Sequence, residues 1–350
     1  MLKVLVLKVP TVLTVQTSAR PAPLALGPSA LLAPALLAPL ALLAPAPVAP
    51  VAPHGNWIWQ FEPLVVIPLL FTAALYLTGL IRLWRHAGVG RGVTVWQALS
   101  FAAGWLVLVL ALDSPIAAVS EILFSIHMTQ HTLLMLVAAP LLVFGHPLTV
   151  SQWAVRHGFH RPVSRGLTRR DTERSTSFRP LLSRLLRWPT RWPRVVTAPL
   201  TVFLIHLAAL WLWHLPALYQ AALRYESVHA LEHLCFVGAA TLFWWGMIHG
   251  RYGRMGYGVA VLYVFLTAIH SAALGALLAT SSSVWYSDYA RAAVDAHVDA
   301  LADQQLAGLI MWIPAGVTFI VLGLALFAAW LGESARRVAL GSTDGITYRP

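Results

Sequence analysis

The chain has 350 residues, of which 58% are hydrophobic and only 11% are charged, whereas soluble globular domains carry roughly 25% charged residues. The mean hydropathy of +0.71 places the excess apolar surface in a lipid bilayer. This composition excludes a soluble enzyme, a disordered protein and, despite the formal net charge of +11, a nucleic-acid-binding domain.

The first 53 residues form a leader rich in Ala, Leu, Pro and Val. Prolines at positions 34, 39, 45, 47, 50 and 53 remove helical hydrogen bonds that lipid does not replace, so the leader is a poor spanning helix. Lys3, Lys8 and Arg20 stand ahead of an apolar stretch, an arrangement typical of an export signal. A wrongly assigned start codon and a disordered leader are the alternatives.

Seven apolar blocks follow, each close to the roughly 20 residues that cross a hydrocarbon core of about 30 Å. They predict an all-α, polytopic membrane protein with seven transmembrane helices. The predicted spans are residues 64–83, 93–112, 122–144, 195–213, 229–248, 257–279 and 307–331. With their connections they make a membrane domain over residues 54–335, and residues 336–350 form a tail.

Arginines in the connecting segments predict the orientation of this domain. Of the 24 basic residues 2 are Lys, and 11 of the remaining Arg lie in the loop 145–194. The loops 84–92 and 249–256 and the tail are also basic, whereas the alternate loops are acidic or balanced. Because Arg and Lys accumulate in cytoplasmic loops, we predict an N-terminus outside and a cytoplasmic C-terminus. The Arg-rich loop is then a topology determinant that contacts lipid headgroups, not nucleic acid.

Histidines gather at the predicted outer ends of the spans. The outer set comprises His127, His131, His214, His229, His233 and His270. His127 and His131 are four residues apart in the third span, and His229 and His233 are four apart in the fifth, so each pair lies on one helical face. Two such pairs at one depth offer four imidazoles to one ion or haem. Since polar groups inside lipid are costly, they indicate a functional site.

Soft and acidic side chains accompany these histidines. Met128, Met135 and Met311 add thioethers, and thioether with imidazole suits copper(I) better than magnesium or calcium. Asp303 begins the seventh span, where its carboxylate is able to orient an imidazole N–H. We therefore predict no catalytic residue and a metal site, with copper the expected ion. The predicted metal-site residues are His127, His131, His229, His233, His214, His270, Asp303 and Met128.

Two other classes of site fit the same residues. A haem held by one histidine from each of two helices would make the chain a membrane redox protein. The segment from His229 through Glu232 to His233 has the H-x-x-E-H form of an inverted zinc peptidase, in which two histidines bind zinc and the glutamate activates water. That five-residue pattern is a weak signal in a chain with 14 histidines.

Three segments in chain order resemble the bacterial CtaG proteins of the caa3 type, which are seven-span assembly factors for cytochrome c oxidase. They are Phe124-Ser-Ile-His127-Met-Thr-Gln-His131-Thr-Leu-Leu-Met135 in the third span, Glu232-His233-Leu-Cys-Phe236 with Phe243-Trp244-Trp245 in the fifth, and Asp303-Gln304-Gln305 through Met311-Trp312-Ile-Pro314 in the seventh. The likeness runs from about residue 55 to residue 335 and leaves out the proline-rich leader and the arginine stretch.

This resemblance implies a non-enzymatic role in the maturation of haem–copper oxidase. It implies a multi-pass protein of the bacterial cytoplasmic (inner) membrane that delivers copper transiently or supports assembly of the copper site. Its expected partners are cytochrome c oxidase subunits, other assembly factors and the lipid bilayer. Carried over residue by residue, the resemblance points first to His127, His131, His233 and Asp303, and then to His229, His214 and His270.

Overall fold

The computed structural model describes residue 59 and residues 61–156, 198–249 and 256–344, with side chains as far as residue 336. Over these ranges the chain forms helices and their connections, with no strand. The leader 1–53 and the arginine-rich stretch 157–194 lie outside the described residues. The helices are α1 (Pro63–Ala87), α2 (Val95–Leu112), α3 (Pro115–Ser120), α4 (Phe124–Phe144), α5 (Pro147–Arg156), α6 (Pro199–Trp213), α7 (Pro216–Arg224), α8 (Glu226–Ile248), α9 (Tyr257–Ala279), α10 (Ser287–Asp295) and α11 (Ala300–Asp344).

Six of these helices, α1, α2, α4, α8, α9 and α11, are long and apolar enough to cross a membrane. The fourth predicted span, residues 195–213, differs in form, because its helix α6 reaches spanning length only together with α7, from which it is separated by a bend of 72°. With 15 residues, α6 is about 22 Å long, short of a core of about 30 Å. The break follows from Pro216, since the residue before a proline is pushed out of the helical region and Leu215 is extended.

The helix α5 lies in the segment that the sequence predicts as an arginine-rich loop. It begins at Pro147 and packs against α1, where a side chain at Gly79 would collide with the backbone of Val150. The hydroxyl of Tyr76 donates to the carbonyl of Gly145 at 2.8 Å, which fixes the turn before α5. Small residues permit this close approach between membrane helices.

A π-helical segment, Leu133–Ala138, interrupts α4 just after His131. In a π-turn the carbonyl of Met135 would accept from residue 140, but Pro140 has no N–H. The indole N–H of Trp244 on α8 supplies the missing donor at 2.9 Å from the Met135 oxygen. The proline thus accounts for the irregular turn and for the contact that joins α4 to α8.

The helices α4 and α8 run side by side in the same direction. His127 and His229 meet where both helices begin, and His146 and His249 meet where both end, with ring nitrogens 3.2 Å apart. The helix α11 begins at the same end as α4, because the Asp303 carboxylate accepts from the Phe124 N–H at 2.7 Å. We call this end of the bundle, with His127, His131, His229 and His233, the histidine end.

Candidate metal centre

The histidine end brings together the four imidazoles of α4 and α8. The Nε2 atoms of His127 and His131 are 3.0 Å apart. Ring centroids are 5.2 Å apart between His127 and His229, and again 5.2 Å apart between His131 and His233. His127, His131 and His233 are buried, and His229 is partly buried. Spacing by four residues on each helix therefore places all four rings on one shared interface.

Glu232 adds a carboxylate between these rings. Its Oε2 lies 3.9 Å from the Nε2 of His127, and its Oε1 lies 3.9 Å from the Nε2 of His131. The side chain is fully buried, and neither oxygen has a hydrogen bond within the described residues. A buried carboxylate without a hydrogen bond is strongly disfavoured unless it is protonated or meets a cation. The donor set of imidazole and carboxylate thus fits a bound metal ion.

Two overlapping triads within this group have ligand atoms close enough to hold one ion. The first consists of His127, His131 and His233, and the second of His127, His229 and Glu232. In each triad the ligand atoms lie within 4.8 Å of one another. Around a tetrahedral ion with bonds of about 2.0–2.1 Å such atoms are about 3.3 Å apart, so a bound ion would require only a small inward movement.

Tyr289 determines which nitrogen of His127 faces the group. Its hydroxyl oxygen lies 2.6 Å from the carbonyl oxygen of Ser120, a distance that requires the hydroxyl proton between the two oxygens. The same hydroxyl oxygen lies 3.0 Å from Nδ1 of His127 and must accept there. The proton of His127 is therefore on Nδ1, and its Nε2 presents a lone pair to the other ligands.

Sequence reasoning missed Tyr289, which lies on α10 in a segment predicted only as a loop. Burial raises the pKa of its phenol well above the ordinary value, so the hydroxyl keeps its proton. Tyr219 and Phe124 pack around Tyr289 with ring centroids 6.1 and 5.3 Å away. The only sequence signal was indirect, namely three tyrosines, at 219, 286 and 289, in connections next to the histidine-bearing spans.

His214 contributes a further free nitrogen next to the four rings. Its Nδ1 lies 2.7 Å from the carbonyl oxygen of Leu210, so this nitrogen carries the proton and donates. Its Nε2 is a buried lone pair without a hydrogen-bond partner in the described part of the chain. The ring centroids of His214 and His131 are 6.3 Å apart, which puts His214 beside the two triads and not within them.

Three other predicted site residues lie outside the two triads. His270 on α9 pairs with His206 on α6, with 3.3 Å between His270 Nε2 and His206 Nδ1. Asp303 has no hydrogen bond to an imidazole of the described residues; its carboxylate accepts from the N–H of Phe124 and so caps the first turn of α4. Met128 is fully buried against Phe124. Asp303 thus anchors the turn that carries His127, instead of orienting its ring.

Comparison with known families assigns the chain. A family model described as cytochrome c oxidase caa3 assembly factor (Caa3_CtaG) matches residues 74–333. Because this match covers well over half of the chain, the protein belongs to that family. The resemblance seen in the third, fifth and seventh predicted spans is thereby confirmed.

Similar curated proteins come from mycobacteria. Uncharacterized proteins of Mycobacterium bovis and Mycobacterium tuberculosis are each 26% identical over 285 residues, which is 81% of this chain. An uncharacterized protein of Mycobacterium leprae is 22% identical over 282 residues, or 80% of the chain. The match spans only 40% of the length of each of these relatives. No solved structure matches the chain.

Proposed function

We propose that this member of the cytochrome c oxidase caa3 assembly-factor family holds copper transiently at its histidine end and passes it to an oxidase subunit. The observation that carries the proposal is the buried Glu232 carboxylate, which lies among four imidazoles and has no hydrogen bond within the described residues. A monovalent copper ion would neutralise this carboxylate, and neutral imidazoles suit copper as ligands.

The two overlapping triads support transient rather than permanent binding. His127 belongs to both triads, so an ion can exchange His131 and His233 for His229 and Glu232 while it keeps one ligand. A resident structural ion is held by one closed set of four ligands. Two incomplete sets that share one imidazole favour exchange over permanent binding.

Orientation and partners complete the proposal. The predicted topology puts the histidine end on the outer side of the cytoplasmic membrane, opposite the arginine-rich segments. Copper would then enter and leave at the outer face, and the recipient subunit of cytochrome c oxidase would present its copper site to the same side.

The haem and peptidase alternatives are less well supported. A porphyrin needs a slot between its two axial histidines, but the four rings contact one another, and the cavity beside them measures only ≈ 40 Å³. A peptidase needs Glu232 to meet a water and a peptide carbonyl, but this side chain is fully buried among imidazoles. Both arrangements favour a bare metal ion over a cofactor or a peptide.

The test is Cu(I) binding by the purified full-length protein in detergent, measured by competition with a chromophoric chelator. Replacing His127 and His233 together by Ala removes the ligand that both triads share and a second ligand of the first triad. This variant should bind one equivalent of Cu(I) fewer than the wild type. The matched control replaces His146 and His249, the pair that joins the same two helices at their other ends, and should bind as the wild type does. Unchanged stoichiometry in the His127→Ala/His233→Ala variant would refute the assignment.

A further inference from the structure

Beside the four rings, between α4, α6, α9 and α11, lies a cavity of ≈ 40 Å³. The residues that line it include Met128, Met135 and Met311 together with His131 and His214. One water molecule needs about 10–15 Å³ of such space, so there is room for an ion with one or two waters. We call this space the thioether cavity.

Three residues that line this cavity, His131, His214 and Ser271, each have a buried polar atom without a hydrogen bond in the described residues. In His214 the unpaired atom is Nε2. It carries a lone pair, because the ring proton is on Nδ1, which donates a hydrogen bond to the carbonyl of Leu210. The hydroxyl of Ser271 and the Nδ1 of His131 are also buried without a hydrogen bond in the described residues. His131, His214 and Ser271 are each more than nine-tenths buried. Buried unpaired polar atoms are costly and indicate a bound ion or water.

The methionines favour an ion over a water molecule as the occupant of this cavity. A single buried methionine most often fills space in a core. Here two methionines of α4 and one of α11 line the same cavity as His214, whose Nε2 has no hydrogen bond in the described residues. Water gains nothing from sulfur ligands, and magnesium or calcium prefers oxygen, whereas thioether and imidazole together select Cu(I).

His131 connects this cavity with the two triads. Its Nε2 lies 3.0 Å from His127 within the first triad, while the same ring lines the thioether cavity. His127, His229 and His233 do not line the cavity, and the three methionines do not belong to either triad. The two ligand sets are therefore separate apart from one shared ring.

We propose that the thioether cavity is a second Cu(I) site, which exchanges its ion with the triads through His131. The identity of the ion rests on the proposed function, but the ligands are different residues and can be tested separately. The chain would then hold two copper ions in sequence, one bound by nitrogen and carboxylate and one bound by sulfur and nitrogen.

X-ray absorption at the copper edge tests this proposal on the full-length protein loaded with two equivalents of Cu(I) in detergent. The wild type should show sulfur as well as nitrogen around copper. The Met135→Leu/Met311→Leu variant, which removes two of the three thioethers, should lose most of the sulfur signal and one equivalent of copper. Leucine conserves the volume of methionine, so this variant should fold. The matched control is Met247→Leu, which changes a methionine of the apolar core outside the cavity. It should leave the sulfur signal and the copper stoichiometry unchanged.

The outcomes separate this proposal from the one before it. If His127→Ala/His233→Ala loses one equivalent but keeps the sulfur signal, two sites exist and both proposals stand. If that variant keeps both equivalents, the triads fail as a site while the thioether cavity stands. Loaded wild-type protein without sulfur around copper overturns the second site, and this result depends on no variant. A sulfur signal of undiminished amplitude in Met135→Leu/Met311→Leu, in which only Met128 remains in the cavity, also overturns it.

Discussion

The two ends of the α4–α8 pair carry the same residue type in different surroundings. At the histidine end, His127 is fully buried, donates to a tyrosine and lies 3.9 Å from a carboxylate oxygen. At the opposite end, His249 is only partly buried and stacks on Trp245 with ring centroids 4.1 Å apart. Neither His146 nor His249 belongs to a group of three potential ligands among the described residues. Burial and a neighbouring carboxylate thus distinguish the proposed metal site from the histidine pair at the other end.

The largest change in the difference between the two ends is expected from Glu232→Gln, which should lower the Cu(I) affinity of the histidine end. This change keeps the shape of the side chain but removes the charge that distinguishes the histidine end. Loss of a partner outside the ligand shell already lowers metal affinity about 10–100-fold, so we expect a loss beyond about 100-fold for Cu(I). Because a buried unpaired carboxylate opposes folding, the unfolding temperature of the metal-free protein should stay equal or rise. Chelator competition measures the Cu(I) affinity, and thermal unfolding in detergent measures the unfolding temperature. An unchanged Cu(I) affinity would show that the Glu232 carboxylate is not a ligand.

The next effect is expected from Tyr289→Phe. Without the phenol oxygen the Nδ1 proton of His127 loses its acceptor, and the ring is free to place a proton on the nitrogen that faces the triads. We expect a fall in Cu(I) affinity of about 10–100-fold. Tyr286→Phe is the matched control, because the Tyr286 hydroxyl donates to the carbonyl of His214 and contacts no ring nitrogen. Equal copper affinities in the two variants would contradict the role assigned to Tyr289.

The smallest effect is expected from His249→Gln, at the other end of the α4–α8 pair, and it concerns the pH dependence of stability. Burial, followed by the neighbouring His146, lowers the pKa of His249 from the ordinary value of 6.5. The folded state therefore favours neutral His249, and its contribution to stability is present above pH 6.5 and declines as the pH falls towards the lowered pKa. In His249→Gln the unfolding temperature should decline less between pH 7.5 and 5 than in the wild type. Parallel pH profiles for the two proteins would argue against this assignment.

Much of the fold is predictable from block lengths, and part of the site from helical spacing. The predicted sixth span coincides with α9, and the pairs at 127/131 and 229/233 meet because each pair repeats once per helical turn. The fourth predicted span ends at residue 213, as α6 does, but the helix α7 after Pro216 was not predicted, because its nine residues, with Gln220 and Arg224 among them, do not form an apolar block. The role of Asp303 was not predictable, since its partner is a backbone N–H distant in sequence. Tyr289 was missed for the same reason: contacts between connections leave no periodic pattern.

The π-helical segment of α4 has a geometric consequence for the buried face of this helix. Val143 lies 16 residues after His127, which would place the two side chains about 160° apart around an uninterrupted α-helix. One surplus residue in the wider turn at Leu133–Ala138 takes back about 100° of this angle. Both side chains are fully buried, so the wider turn keeps the buried residues of α4 on one side of the helix. Without it, the end of α4 would rotate its apolar side away from the rest of the bundle.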